Sequence, residues 1–126
     1  MSETITEHIR RHLFVSLGVS SNPRRRLPDL DELRESQRSI EFEVLCQNRM
    51  AMGAFRYGLM REQRDLSPFD NVGSAIRRLQ LYQQTGNREC LVDAANLCMI
   101  EFEIGCHPTA HFVAVDDGEH AEKKAR

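Results

Sequence analysis

The chain has 126 residues, of which 40% are hydrophobic and 29% are charged. This length and composition predict one folded domain with its own core and exclude wholesale disorder. The formal net charge is −2, so a general electrostatic attraction to DNA or RNA is not expected, although a local basic patch can still hold a phosphate.

Residues 1–11 are charged and contain no continuous apolar run, so the sequence predicts no secretory signal. No stretch approaches the roughly 20 apolar residues that a membrane-spanning helix needs. Buried free thiols are the simplest interpretation of four cysteines without a CxxC pair, namely Cys46, Cys90, Cys98 and Cys106. We therefore predict a cytoplasmic protein with no membrane partner.

The first predicted helix spans residues 2–17. Its apolar residues recur at every fourth position and form one stripe, which contains Ile5, Ile9, Leu13 and Leu17. Gly18 follows as a natural helix stop. The stripe is narrow, so this helix is expected to lie against another part of the protein.

A loop with a basic triplet follows at residues 19–28. Its two prolines break helices, and its serines and asparagine favour turns. The triplet consists of Arg24, Arg25 and Arg26. Guanidinium groups offer paired donors that suit phosphate, so this loop is a candidate anion-binding segment. Solvated surface charge is the alternative interpretation.

The longest predicted helix begins at residue 29 or 31 and ends at residue 57, before Gly58. At about 100° per residue, one side of it is apolar and contains Leu33, Ile40, Val44, Ala51 and Phe55. Glu41 and Asn48 fall within this arc, where a buried carboxylate needs a partner. Glu41 either belongs to a structural network or lines a polar site. Arg49 and Arg56 lie one face away and are candidate phosphate-binding residues.

A third helix is predicted from residue 70 or 71 to residue 85, after a charged connection. Its inward face is expected to contain Val72, Ile76 and Leu79. Gly86 can end one helix with a positive φ, and Asn87 can cap the next one. The pair predicts an αα-hairpin.

The fourth predicted helix spans residues 88–104, is closed by Gly105 and is apolar almost all round. A helix with so little polar surface is central in a bundle or buried between subunits, so we expect a homo-oligomer. Residues 106–126 are expected to form an irregular tail. Its histidines, His107 and His111, have the spacing of a helical metal pair, but Pro108 disfavours a helix there.

The polar residues of this fourth helix share one stripe. With Glu89 at zero on the helical wheel, Asp93 lies at about 40° and Asn96 at about 340°. The stripe is either the solvated side of the helix or, because Ile100 lies within it, a partly sheltered polar site. If Glu41 faced this stripe across a groove, the clustered oxygens would suit Mg²⁺, which in turn would hold phosphate oxygens.

The segment Glu89-Cys-Leu-Val-Asp93, followed one turn later by Asn96, resembles the second metal-binding motif of the MazG-like all-α nucleoside triphosphate pyrophosphohydrolases. The resemblance implies a helical bundle that dimerises or tetramerises and releases pyrophosphate from a nucleotide with Mg²⁺. That family's first motif, ExxE, has no counterpart around Glu41 and Glu43, which point to different sides of the helix. In general style, the chain also resembles small proteins of phages and mobile elements.

We therefore predict an all-α bundle of three or four main helices, residues 1–105, with a C-terminal tail, residues 106–126. The first functional hypothesis is a phage-like accessory protein whose oligomer binds an anionic, nucleotide-like ligand or a host protein. The candidate ligand-binding residues are Arg24, Arg25, Arg26, Asn48, Arg49, Arg56 and Asn96. The candidate metal ligands, for Mg²⁺, are Glu41, Glu89 and Asp93. The alternative is a Mg²⁺-dependent MazG-like pyrophosphohydrolase, and a nucleic-acid partner is not expected.

Overall fold

The computed structural model describes residues 29–63, 69–113 and 124. The predicted first helix and the Arg24–Arg26 loop lie outside the described residues. The described ranges contain four α-helices, one 3-10 helix and no β-strand, which confirms the all-α prediction. The helices are α1 (Leu30–Ser36), α2 (Ile40–Tyr57), the 3-10 helix (Met60–Gln63), α3 (Asn71–Thr85) and α4 (Glu89–Ile104).

Residues 39–110 form one compact unit, which contains every helix from α2 onward. The described residues 29–38, 111–113 and 124 belong to a second unit. The predicted domain boundary after residue 105 stays a prediction.

Helix α1 is short and is stabilised by local polar contacts. The Asp29 carboxylate accepts a hydrogen bond from the Glu32 backbone N–H at 2.9 Å, and further acids occupy the first turn, where the helix dipole favours them. Near its end, Arg38 and Glu35 form an exposed ion pair of 3.1 Å.

The prediction of one long helix from residue 29 or 31 to residue 57 is wrong, because the chain stops after α1 and restarts at α2. Gln37 closes α1 with φ −103° and ψ 42°, and Ser39 is extended. The Ser39 hydroxyl accepts a hydrogen bond from the Phe42 backbone N–H at 3.1 Å. A serine that caps a new helix cannot also continue an old one, which explains the break.

Removing this cap is expected to destabilise the larger unit. Ser39→Ala should lower the free energy of unfolding by about 1 kcal/mol, because the orphaned N–H at the start of α2 loses its acceptor. Urea unfolding followed by circular dichroism measures the change. Ser36→Ala is the matched control, since that hydroxyl bonds only the Leu33 carbonyl at the exposed end of α1. Equal losses in the two variants would contradict a capping role for Ser39.

The predicted αα-hairpin is present as α3 and α4. Helix α3 begins where the Asp70 carboxylate accepts a hydrogen bond from the Gly73 N–H at 2.9 Å. It ends at Gly86, whose φ of 71° lies in the left-handed region that favours glycine. The Asn87 side chain then accepts a hydrogen bond from the Glu89 N–H at 3.1 Å. Helix α4 packs along α3 and also contacts α2 and the 3-10 helix, so it is central in its unit.

The core of this unit is small. Its buried apolar residues in the described ranges are Ala75, Cys90, Val92, Ala94 and Ile104, and Asn71 and Asn96 are buried polar residues. Helix α2 buries no residue completely. Its predicted apolar arc is directed largely outward, and Phe55 is 95% exposed.

The predicted inward face of α3 is also wrong. Val72, Ile76 and Leu79 are about half exposed, while Asn71 and Ala75 are buried. The helical wheel predicts correctly that the apolar residues share one stripe. The face of α3 that packs against its neighbour is a different one, with smaller and more polar side chains. Small side chains permit a close approach of two helices, which favours this arrangement.

The four cysteines differ in how far they are buried. All four cysteines are free, but Cys90 alone is buried: Cys46 is half-buried, and Cys98 and Cys106 are exposed. The prediction of buried thiols is therefore wrong for the last two. None of the described helices is both long and apolar enough to cross a lipid bilayer.

Candidate ligand-binding cleft

A cleft of about 350 Å³ is lined by residues of α2, the 3-10 helix, α3 and α4. This volume lies at the lower end of the range for small-molecule sites. Three arginines line it: Arg49 and Arg56 from α2, and Arg78 from α3. Asp93 and Asn96 of α4 contribute polar groups to the same cleft.

Arg49 is held by two acids of α4. Its Nη2 lies 3.1 Å from Glu89 Oε1, and its Nε donates to Asp93 Oδ1 at 3.2 Å. Glu89 and Asp93 are four residues apart, so they project from the same side of α4 and reach one guanidinium. The hydrogen bond to Asp93 and the charge of that carboxylate raise the pKa of Arg49, burial lowers it, and Glu89 raises it further.

Asp93 lies between arginines of two helices. Its second oxygen, Oδ2, is 4.0 Å from Nε of Arg78 on α3. The Asp93 side chain is 14% exposed, so this charge is largely withdrawn from water. A single carboxylate of α4 therefore faces guanidinium groups from both α2 and α3.

Asn96 has a structural partner in α2. Its Nδ2 donates to the Cys46 carbonyl oxygen at 2.9 Å, and the residue is 8% exposed. Burial, together with the charge of Asp93, raises the pKa of the Cys46 thiol, so this sulfur stays protonated at neutral pH. Asn96 thus ties α4 to α2 at the cleft, and Cys46 is not an activated nucleophile.

The cleft also contains two aromatic rings. Tyr57 and Phe69 both line it, with ring centroids 5.5 Å apart in an edge-to-face arrangement. The Arg56 guanidinium carbon lies 5.9 Å from the centre of the Tyr57 ring, within the range of a cation–π contact. Aromatic faces and arginine donors together suit a ligand with a flat ring and a negative charge.

Of the three predicted metal ligands, Glu89 and Asp93 lie together and Glu41 lies apart from them. Glu89 and Asp93 share Arg49, whereas Glu41 is exposed in the first turn of α2 and is not part of the cleft. The expectation that Glu41 is sheltered by apolar residues is therefore wrong, and its charge is favoured by the helix N-terminus. No group of three or more His, Cys, Asp or Glu residues suited to a metal ion occurs in the described ranges.

The predicted ligand-binding residues divide into three groups. Arg49, Arg56 and Asn96 line the cleft, Asn48 is exposed outside it, and the triplet Arg24–Arg26 lies outside the described residues. Arg78, Tyr57 and Phe69 were not among the predicted site residues. The wheel of α3 carried a signal for Arg78, because it shares a face with the inward residues Asn71 and Ala75.

The local resemblance of Glu89–Asp93 to the MazG-like motif stays a prediction. No protein-family model matches the chain, and none of the curated proteins or solved structures gives a significant match.

Proposed function

We propose that the protein binds an anionic, nucleotide-like small molecule in the cleft between α2, α3 and α4. The carrying observation is the charge of the cleft: Arg49, Arg56 and Arg78 line it, and Asp93 is the one acid among its described lining residues. This local excess of positive charge stands in a chain whose formal net charge is −2. A cleft with low-dielectric walls and a net positive charge attracts anions.

The arginines have different roles in this proposal. Arg49 is engaged by Glu89 and Asp93 and mainly holds α2 against α4. Arg78 is 4.0 Å from Asp93, which is longer than a good charge-assisted hydrogen bond, so its fork of donors can turn to a phosphate. The Tyr57 and Phe69 rings offer a surface for the flat part of the ligand.

A Mg²⁺-dependent hydrolase is the second candidate, because the ion pairs of Arg49 with Glu89 and Asp93 disfavour a metal ion at these acids. Both acids of the ExxxD segment are already compensated by Arg49. A divalent cation 4 Å from one unit positive charge is repelled by about 8 kcal/mol at an effective dielectric constant of 20. A Mg²⁺ ion at Glu89 and Asp93 would have to overcome a repulsion of this kind from Arg49.

A ligand screen with matched variants tests the proposal. Thermal shift and calorimetry at low ionic strength, with nucleoside mono-, di- and triphosphates, pyrophosphate and free nucleosides, should show stabilisation by the phosphorylated compounds without Mg²⁺. Arg78→Gln should weaken binding about 10- to 100-fold, since a hydrogen bond to a charged group contributes roughly 1.5–3 kcal/mol. Arg88→Gln is the control, because Arg88 is exposed, precedes α4 and does not line the cleft.

Two outcomes would overturn the binding proposal. One is the absence of stabilisation by any phosphorylated compound, which would leave a host protein as the partner to search for. The other is Mg²⁺-dependent release of pyrophosphate that disappears in Glu89→Gln and Asp93→Asn but persists in Arg78→Gln. That result would establish the hydrolase.

We further propose that the protein acts as an oligomer in the cytoplasm, as an accessory protein of the kind that phages and mobile elements carry. Support for the oligomer comes from the apolar side chains that α2 and α3 leave exposed. Support for the compartment comes from four free cysteines, two of them exposed, which persist as thiols in a reducing environment.

A further inference from the structure

The cleft between α2, α3 and α4 has little positive charge left over for a ligand. Arg49 is held by Asp93 at 3.2 Å and by Glu89 at 3.1 Å. Arg78 lies 4.0 Å from the second oxygen of Asp93, and Arg56 forms no ion pair with a described residue. Arg56 and Arg78 are therefore the two cations of the cleft that an anion can engage.

Asp93 places a negative charge inside the same cleft, next to Arg78. Its side chain is 14% exposed, so water and salt screen this charge less than they screen a surface carboxylate. The bond from Arg49 to its Oδ1 keeps the carboxylate in place. A phosphate bound by Arg78 therefore has Asp93 as a close neighbour, which repels any negative charge that the two arginines do not compensate.

We propose that the ligand carries a single phosphate group, as a nucleoside monophosphate does, and that Asp93 excludes ligands with longer phosphate chains. This inference rests on the proposed function, because it names the class of anion that the same cleft binds. A phosphate monoester carries about 1.5 to 2 negative charges at neutral pH, which two arginines can compensate. Each further phosphate adds charge, and the described lining residues include no lysine and no fourth arginine to compensate it.

The size of the cleft agrees with a ligand that has one phosphate. Its volume of about 350 Å³ lies near the lower limit for small-molecule sites. Tyr57 and Phe69 line it, and the Arg56 guanidinium carbon is 5.9 Å from the centre of the Tyr57 ring. An aromatic surface and a cation are therefore close together, which suits a flat ring joined to one phosphate better than a ring with a long phosphate chain.

Calorimetry with nucleotides of different phosphate number tests this inference. The probes are the mono-, di- and triphosphates of adenosine, guanosine, cytidine and uridine, in about 0.15 M salt and without Mg²⁺. The monophosphate of the preferred nucleoside should bind the wild-type chain about 10-fold more tightly than its triphosphate. Asp93→Asn should raise the affinity for the triphosphate about 10-fold and that for the monophosphate by less, because the repulsion acts mainly on the added phosphates.

Two further variants cover the case in which Asp93→Asn fails to fold. Glu89→Gln removes one of the acids that hold Arg49, at a side chain that is 54% exposed, and should shift the preference toward the triphosphate by a smaller factor. Gln84→Lys is the matched control, because it adds the same unit of positive charge at an exposed position of α3 that does not line the cleft. It should leave the ratio of the two affinities unchanged.

The outcomes separate this inference from the proposed function. A wild-type chain that binds the triphosphate at least as tightly as the monophosphate would contradict the inference and leave the proposed function standing. Equal gains for both nucleotides in Asp93→Asn, or the same shift in Gln84→Lys as in Glu89→Gln, would also contradict it. If none of the phosphorylated compounds binds, the proposed function fails and this inference fails with it.

Discussion

Arg49→Met is expected to lower the free energy of unfolding by about 2 kcal/mol. The guanidinium bonds Asp93 at 3.2 Å, and that carboxylate is 14% exposed, so its loss leaves a largely buried charge without its nearest partner. Glu89 contributes less, since its side chain is 54% exposed and such pairs are worth well under 1 kcal/mol. Methionine keeps the aliphatic packing of the arginine stem. Urea unfolding at low and moderate salt measures the change.

A double-mutant cycle separates the ion pair from other effects. Asp93→Asn should be destabilising alone, and the Arg49→Met, Asp93→Asn double variant should lose less than the sum of the two changes. Glu35→Gln is the surface control, because it breaks the exposed Glu35–Arg38 pair and should cost a few tenths of a kcal/mol. Additive losses in the cycle would show that Arg49 and Asp93 do not stabilise the fold as a pair.

Asn96→Asp should cost about 3 kcal/mol at neutral pH. The change replaces the donor that binds the Cys46 carbonyl with a carboxylate, at a site that is 8% exposed and one turn from Asp93. The charge would be both desolvated and repelled, and an unpaired buried polar group alone costs roughly 1–3 kcal/mol. Asn96→Ala, which removes the bond without adding charge, should cost about half as much.

The pH dependence of this variant provides a second readout. Desolvation and Asp93 would raise the pKa of the introduced carboxyl in the folded state above its unfolded value. The destabilisation should therefore be greatest above the folded pKa and diminish as the pH falls through it, because the folded state then binds the extra proton. Asn48→Asp, on the exposed surface of α2, should change stability by a few tenths of a kcal/mol at any pH. A similar loss in both variants would argue against a structural role for Asn96.

The helix ends of the hairpin could be predicted because they depend on neighbouring residues. Gly86 ends α3, and the Asn87 side chain accepts a hydrogen bond from the Glu89 N–H, although the N-cap residue of α4 is Arg88; both residues act locally, and the sequence shows both. Ser39 also acts locally, yet the break between α1 and α2 was missed. Leu33, Ile40 and Val44 share one side of a continuous helix, and this shared side outweighed the capping serine and the polar residues Ser36 and Gln37, which interrupt the apolar period.

The orientation of α2 and α3 could not be predicted in the same way. A helical wheel shows which residues share a face, but it does not show which face a neighbour covers. Val72, Ile76 and Leu79 do share a stripe, and the stripe is on the outside. The assumption that an apolar stripe faces the core of its own unit fails for α3, which buries Asn71 and Ala75 instead.

The polar stripe of α4 could be recognised from a single helix. Glu89, Asp93 and Asn96 share one face on the wheel of α4; Asp93 and Asn96 are largely buried, whereas the Glu89 side chain is 54% exposed. Their partners Arg49, Arg78 and Cys46 come from other helices, more than ten residues away in sequence. The acids of α4 contact arginines rather than Glu41. This outcome depends on how the helices pack, which the pattern of a single helix does not show.

If the cleft binds an anion as proposed, the position of Asp93 between Arg49 of α2 and Arg78 of α3 would couple occupancy of the cleft to the stability of the unit. An anion that attracts Arg78 competes with Asp93 for the same donors, and the released carboxylate oxygen becomes available to strengthen the bond to Arg49. Such coupling is reciprocal. The factor by which the anion changes the equilibrium between the formed and the broken Arg49–Asp93 pair is also the factor by which breaking the pair changes the affinity for the anion. A ligand that binds Arg78 of α3 would then also change the stability of the contact between α2 and α4.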